Sequence, residues 1–191
     1  RRVLAELFNS LAESALQAAD RADATAPTGP LHGVPFTIKE NIDCTGSATT
    51  HGLTALAAAM PAADAPVVAR MKAAGAIPLG RTNLPEMGLR ITTDNPLRGR
   101  TSNPWNPTRT AGGSSGGEGA ALATGMTPIG LGNDIGGSLR NPAYCCGIAA
   151  LKSTTGRIPM VLSIPAVAQP ISFRMMCVEG PMARSVADLK I

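Results

Sequence analysis

The fold of this chain is decided by the stretch from Gly112 to Arg140, which begins Gly112-Gly113-Ser114-Ser115-Gly116-Gly117 and ends Asp134-Ile135-Gly136-Gly137-Ser138-Leu139-Arg140. Both ends are glycine-rich loops that carry serines. The first loop leads into the alanine-rich segment 118–123, which favours a helix, and the second follows the apolar segment 127–131, which is typical of a strand. Helices and strands that alternate along the chain indicate an α/β sheet.

The sequence on either side of this stretch continues the alternation. Apolar spacing and turn residues predict a helix at 2–23, a loop at 24–31, a strand at 32–38, a helix at 67–74, a strand at 76–80, a surface loop at 94–110 and a helix at 184–190 capped by Ser185. No repeat and no linker divides the chain. We therefore expect residues 1–191 to be part of one α/β domain without an internal boundary.

Composition excludes several classes of function. The net charge is only +4 and aromatic residues make up 3% of the chain, so neither a basic patch nor base stacking favours nucleic acid as a partner. No apolar run approaches the length of a membrane span. The four cysteines form no CxxC pair and only two histidines are present, which disfavours a structural zinc site. We expect neither a metal nor another cofactor.

The cysteines also bear on location. Cys145 and Cys146 are adjacent, and such neighbours form a disulfide only with strained geometry. We interpret all four cysteines as buried thiols in a reducing compartment, the cytoplasm.

The second loop suits nucleophilic catalysis by serine. A serine hydroxyl needs a base within hydrogen-bond reach and donors for the oxyanion that its attack creates. The backbone N–H groups of Ile135, Gly136, Gly137 and Ser138 can converge on one point, because glycine tolerates the turns required. Asp134 and Arg140 are expected to brace this loop from behind.

Lys39 is the candidate base, because a neutral lysine can accept a proton from serine. Its pKa must then fall towards neutrality, which burial achieves, and the apolar neighbours Val34, Phe36 and Ile38 are expected to supply that burial. A Ser-His-Asp triad with His32 or His51 is the alternative.

Each of these interpretations has a plainer rival. The first loop has the composition of a flexible linker, Lys39 could be a solvated surface group, and Glu118 could be a simple charge in the first turn of a helix.

At these residues the chain resembles the amidase signature family. The resemblance rests on Ile38-Lys39-Glu40-Asn41, the loop 112–117 and the segment 132–143, in the family's order and with similar spacing, and further motifs extend it over nearly the whole chain. It implies a single α/β domain around a twisted mixed sheet flanked by helices. Members are more than twice as long, so we expect this chain to be the N-terminal and central part, truncated at both ends.

The resemblance also implies roles for individual residues. Ser138 would be the nucleophile, Ser114 would relay its proton across a cis peptide bond from Gly113, and Lys39 would be the general base. The N–H groups of residues 135–138 would bind the oxyanion, and Ser115 would orient the first loop. Asn133 stands where a threonine or serine is commoner, from which we expect modest effects.

Three hypotheses about function remain open at this point. The first is an amidase that cleaves a small or acyl amide to an acid plus ammonia or an amine. The second is the amidase subunit of a tRNA-dependent amidotransferase, and the third is an inactive fragment. The segment 174–178 departs from the family pattern near the acyl pocket, so the substrate stays open, as does the oligomeric state, a homodimer included.

Overall fold

The structure, a computed structural model, describes residues 11–191. The helix predicted at 2–23 therefore lies partly outside the described residues, and its described part is helix α1 (Ala12–Asp23). The other elements follow in chain order as β1 (Pro35–Lys39), α2 (Pro66–Ala73), β2 (Ile77–Thr82), β3 (Asp94–Asn95), β4 (Gly99–Arg100), α3 (Gly116–Ala123), β5 (Ile129–Asp134), α4 (Arg140–Cys146), β6 (Ala149–Ala150), α5 (Ile171–Met176) and β7 (Val178–Ala183).

Five of the strands form one mixed sheet in the order β2-β1-β5-β7-β6. Strand β1 runs parallel to β2 and β5, whereas β7 runs antiparallel to β5 and β6. The predicted α/β fold with a mixed sheet and flanking helices is thereby confirmed. The parallel part brings the carboxyl ends of β1 and β5, where Lys39 and Asp134 lie, to the same edge of the sheet.

The two faces of β1 have different roles. Side chains alternate along a strand, so Phe36 and Ile38 point to one face, where both are fully buried in the apolar core. Thr37 and Lys39 point to the other face. In the pairing with β2, Lys39 lies opposite Thr82. The core thus fixes the strand from one side and leaves its polar face available for the site.

Several predicted elements differ in detail from the observed ones. The helix predicted at 184–190 is a single 3₁₀ turn over Asp188–Lys190, although the Ser185 hydroxyl caps it by accepting a hydrogen bond from the Asp188 N–H at 3.2 Å. The loop predicted at 94–110 contains the short antiparallel pair β3–β4. Cys145 is half-buried rather than buried, while the other three cysteines are buried and all four are free thiols.

Within residues 11–191, no helix has both the length and the apolar character that crossing a membrane requires.

Candidate active site

Lys39 ends strand β1 and lies at the centre of the candidate site. Its side chain is fully buried. The ammonium nitrogen Nζ lies 2.6 Å from Ser114 Oγ and 2.6 Å from Asn133 Oδ1, so it donates to both. Asn133 is in turn held by Asn41, whose Oδ1 accepts a hydrogen bond from Asn133 Nδ2 at 3.0 Å. The sequence-predicted lysine and the first serine are therefore brought into direct contact.

Burial lowers the pKa of Lys39 from 10.5 to about 7, although the neighbouring Cys177, Asp134 and Glu118 act to raise it. The source of that burial differs from the expected one. Phe36 and Ile38 belong to the core on the opposite face of the sheet. The ammonium of Lys39 instead contacts Ser114 of the first glycine-serine loop and Asn133 of β5.

The first loop is held rigidly between the sheet and the second loop. The peptide bond from Gly113 to Ser114 is cis, and Ser114 is buried. The Gly113 N–H donates to Asn141 Oδ1 at 3.0 Å, and the Ser115 N–H donates to the Ser138 carbonyl at 3.1 Å. The first bond fastens the first loop to helix α4, and the second fastens it to the loop that carries Ser138.

Asp134 organises the second loop from its buried position at the end of β5. Its carboxylate accepts hydrogen bonds from the N–H groups of Gly137 at 2.8 Å and Leu139 at 2.9 Å. Arg140 Nη2 forms an ion pair with it at 2.9 Å. Burial alone would raise the pKa of Asp134, but the hydrogen bonds from Arg140, Leu139 and Gly137 outweigh it and lower the pKa to about 2. The carboxylate is therefore ionised at neutral pH and fixes the loop.

Ser138 and Ser114 line the same small cavity, of about 100 Å³. Ser138 is half-buried and Ile135 and Gly136 beside it are exposed. Within residues 11–191 the Ser138 hydroxyl has no hydrogen-bond partner, so it is free to meet a molecule in the cavity. Ser114, which Lys39 contacts, and a second serine thus border one space.

The two histidines occupy different places. His32 lies away from the cavity, with its ring nitrogens near the Thr28 hydroxyl and the Ala22 carbonyl. His51 does line the cavity, which sequence reasoning missed. Burial lowers the pKa of its ring, although the backbone of Ile164 acts to raise it. The contact with a serine is made by Lys39.

Sequence reasoning also missed two groups around Lys39. Only modest effects are expected of Asn133 from the sequence, but its side chain contacts Lys39 directly. Glu118 reads as a simple charge in the first turn of a helix, but it is fully buried. The signal that could have identified Asn133 is its position one residue before the loop, at the carboxyl end of a buried strand, where site residues of parallel sheets concentrate.

Comparison with known proteins agrees with this geometry. The family model named Amidase matches residues 2–191. The indoleacetamide hydrolase of Bradyrhizobium diazoefficiens is 49% identical over 185 residues, which are 95% of this chain and 35% of that protein. A glutamyl-tRNA(Gln) amidotransferase subunit of a Roseiflexus species is 44% identical over 94% of this chain and 36% of its own length.

Solved structures give the same result. The peptide amidase from Stenotrophomonas maltophilia superimposes with a TM-score of 0.84 at 34% sequence identity, over 96% of this chain and 38% of that structure. The chain therefore spans little more than a third of the length of the relatives it matches. Because the family model covers nearly every residue and the identities are high, the chain belongs to the amidase family.

Proposed function

We propose that this chain carries the catalytic groups of an amidase, which hydrolyses a carboxylic amide to an acid plus ammonia or an amine. The observation that carries the proposal is the 2.6 Å contact between Lys39 Nζ and Ser114 Oγ, beside a cavity that Ser138 also lines. A pKa of about 7 for Lys39 supports it, because such a lysine is partly neutral at physiological pH and can accept a proton.

In the proposed reaction, Ser138 Oγ attacks the amide carbonyl carbon. Its proton passes to Ser114, and the Ser114 proton passes to Lys39, which becomes an ammonium. Collapse of the tetrahedral intermediate breaks the C–N bond; Ser114 gives its proton to the leaving nitrogen and takes one back from Lys39, which becomes neutral again. Water then hydrolyses the acyl-enzyme on Ser138 with Lys39 again as the base.

The oxyanion would be bound by backbone N–H groups of the second loop. Gly137 is expected among them from the sequence, but its N–H donates to Asp134 Oδ1 at 2.8 Å. We therefore assign the oxyanion to the N–H groups of Ile135, Gly136 and Ser138, which have no protein acceptor within residues 11–191. Losing one such donor typically costs about 3 kcal/mol of transition-state stabilisation.

A second candidate function is the amidase subunit of a tRNA-dependent amidotransferase. It is favoured by the 44% identity with the Roseiflexus amidotransferase protein. The same serine and lysine groups would then release ammonia for partner subunits. Co-purification with partner subunits, together with glutamine hydrolysis, would support this candidate, whereas hydrolysis of simple amides by the isolated protein would support the first.

We also propose a cytoplasmic location. Four free thiols, of which three are buried, suit a reducing compartment.

The proposed chemistry is tested by labelling the full-length protein with a fluorophosphonate and mapping the labelled peptide. We expect label on Ser138 that disappears in Ser138→Ala and falls steeply in Lys39→Ala. Lys72→Ala is the matched control, because Lys72 is ion-paired with Asp64 at 2.7 Å at a partly exposed site and does not line the cavity, so its loss should leave labelling unchanged. A folded protein that stays unlabelled would refute the catalytic assignment.

A further inference from the structure

Glu118 is a carboxylate buried between helix α3 and the sheet, and the proposed reaction gives it no role. It has no solvent exposure. The Thr37 hydroxyl donates to Glu118 Oε2 at 2.6 Å and the Thr82 hydroxyl donates to Oε1 at 2.7 Å. A Cβ at Gly130, on the neighbouring strand β5, would collide with Glu118 Oε2. The sheet is thus shaped to admit a carboxylate at this point.

The sheet register brings Glu118 to the same face as Lys39. Thr37 and Lys39 are two residues apart on β1 and therefore point to one face. Thr82, the other partner of Glu118, lies directly opposite Lys39 in the pairing of β1 with β2. Both hydrogen-bond partners of the carboxylate thus adjoin Lys39 on the face where its side chain lies.

A protonated Lys39 in this position needs a compensating negative charge. Its hydrogen-bond partners, Ser114 and Asn133, are neutral groups, and a buried cation without a counter-charge is strongly destabilised. The acidic groups that act to raise the pKa of Lys39 are Cys177, Asp134 and Glu118.

Two of these three groups are not available as the counter-charge. Burial raises the pKa of the Cys177 thiol to about 11, so it is neutral at physiological pH. The charge of Asp134 is already matched by Arg140, 2.9 Å away. Glu118, by contrast, is held by two threonine hydroxyls that bring no charge.

The charge of Arg81 also acts to lower the pKa of Glu118, but its guanidinium forms its hydrogen bonds elsewhere. It lies on the opposite face of the sheet, because its register partner on β1 is the core residue Ile38. There it donates to Ser47 Oγ at 2.7 Å and to the Ile42 carbonyl at 2.6 Å.

We propose that Glu118 is the buried counter-charge of Lys39, a positioning residue that stabilises the ammonium formed when Lys39 takes the proton from Ser114. This inference rests on the proposed function. No proton passes between the two residues. It is the carboxylate form of Glu118 that attracts the Lys39 ammonium, and the attraction lasts until the proton returns to the leaving nitrogen.

The titration of the two groups agrees with this pairing. Burial lowers the pKa of Lys39 to about 7 and raises the pKa of Glu118 to about 7. Each charge favours the other, because Lys39 lowers the pKa of Glu118 and Glu118 raises that of Lys39. Removal of the carboxylate should therefore lower the pKa of Lys39 further.

The test is the pH profile of fluorophosphonate labelling in the full-length protein carrying Glu118→Gln. Glutamine keeps the size of the side chain and can still hydrogen-bond to both threonines. We expect the low-pH side of the profile, its acid limb, to move to lower pH by about one unit. The plateau rate should fall about tenfold, because the lysine becomes a weaker base. A folded Glu118→Gln protein whose limb and plateau are unchanged overturns the proposal.

Glu118→Asp separates charge from packing. Aspartate keeps the charge but is one methylene too short for the two threonines, so a purely structural role makes Asp the more harmful substitution and leaves Gln mild. If Glu118 acts through its charge, the order is reversed: Glu118→Gln should shift the low-pH side of the labelling profile, and Glu118→Asp should leave it near its original pH. The matched control is Glu179→Gln, another buried carboxyl of the same sheet; burial raises its pKa to about 8, and it should leave the acid limb in place.

A double-mutant cycle on the unfolding equilibrium of the full-length protein gives a readout that does not need activity. Lys39→Met and Glu118→Gln each leave the other charge unmatched, and together they remove both. We expect a coupling of at least tenfold in the unfolding equilibrium constant, about 1.4 kcal/mol. Additive effects overturn the counter-charge. If the unsubstituted protein is never labelled, only the proposed function is refuted. The coupling energy still shows whether Lys39 and Glu118 form a charge pair.

Discussion

The ammonium nitrogen of Lys39 lies 2.6 Å from the hydroxyl oxygen of Ser114, and both side chains are buried. Strand β1, whose other face packs into the core, holds the lysine, and a loop hydrogen-bonded to the loop of Ser138 holds the serine. Because both side chains are held in place by the surrounding protein, the contact is preorganised before any substrate binds. Changes that loosen either element should therefore slow the chemistry.

The rate of Ser138 labelling should rise with pH through about 7. Lys39 must be neutral to accept the serine proton, and burial places its pKa at about 7. Below that value the rate should fall tenfold per pH unit as the lysine becomes protonated. The measurement is the labelling rate constant from about pH 5 to about pH 9. A flat profile in a protein that stays folded would remove Lys39 from the role of base.

Asn133→Ala should slow labelling by about 10- to 100-fold. The substitution removes the second acceptor of Lys39 Nζ, which lies 2.6 Å away, so the lysine loses its orientation towards Ser114. Asn106→Ala is the matched control, because that asparagine is exposed and only caps Thr108 in a surface loop. Equal rates for the two variants would show that the Asn133 contact does not orient the base.

Much of this site could be predicted from the sequence, but only where a local pattern carries the information. The alternation of β1 and the glycine-serine loops identified Lys39, Ser114 and Ser138 as candidates. Glu118 could not be identified in this way. A glutamate in the first turn of a helix usually faces solvent, and its burial follows from the register of three strands. That register places Thr37 and Thr82 beneath it, which no short stretch of sequence encodes.

The position of His51 has a similar cause. It lies in a turn 12 residues beyond Lys39, and its backbone has a φ of +52°. The turn folds back against the cavity because its N–H bonds to the Glu40 carbonyl. The placement of this turn against the cavity depends on tertiary contacts, so the sequence contained no signal for it beyond the presence of a histidine.

Asp134→Asn should make the protein less stable at neutral pH and remove part of its acid sensitivity. The pKa of Asp134 is lowered from 3.8 to about 2 in the folded state. A lowered carboxyl pKa contributes stability above the unfolded value, and that stability is lost as the pH falls from about 4 to about 2. The contribution is about 2 kcal/mol.

The measurement is the free energy of unfolding of both proteins across this pH range. The difference between them should shrink towards pH 2. Asp64→Asn is the control, because Asp64 pairs with Lys72 at a partly exposed site and should cost less. A difference that stays constant with pH would contradict the ionised role of Asp134.

Gly112→Ala should destabilise the protein by about 1–3 kcal/mol. Gly112 has a φ of +84°, a conformation that disfavours a side chain. A Cβ there would lie 2.8 Å from Pro142 Cα and 2.8 Å from Asn141 Oδ1, and the backbone of α4 cannot move without shifting the second loop. Ser138 labelling should slow as well, since the Gly113–Asn141 bond joins the first loop to helix α4, which follows the second loop directly. Gly136→Ala is the stability control, because nothing lies within 4 Å of its Cβ position. If Gly112→Ala were as stable as that control, the close approach of the first loop to helix α4 would not constrain the fold.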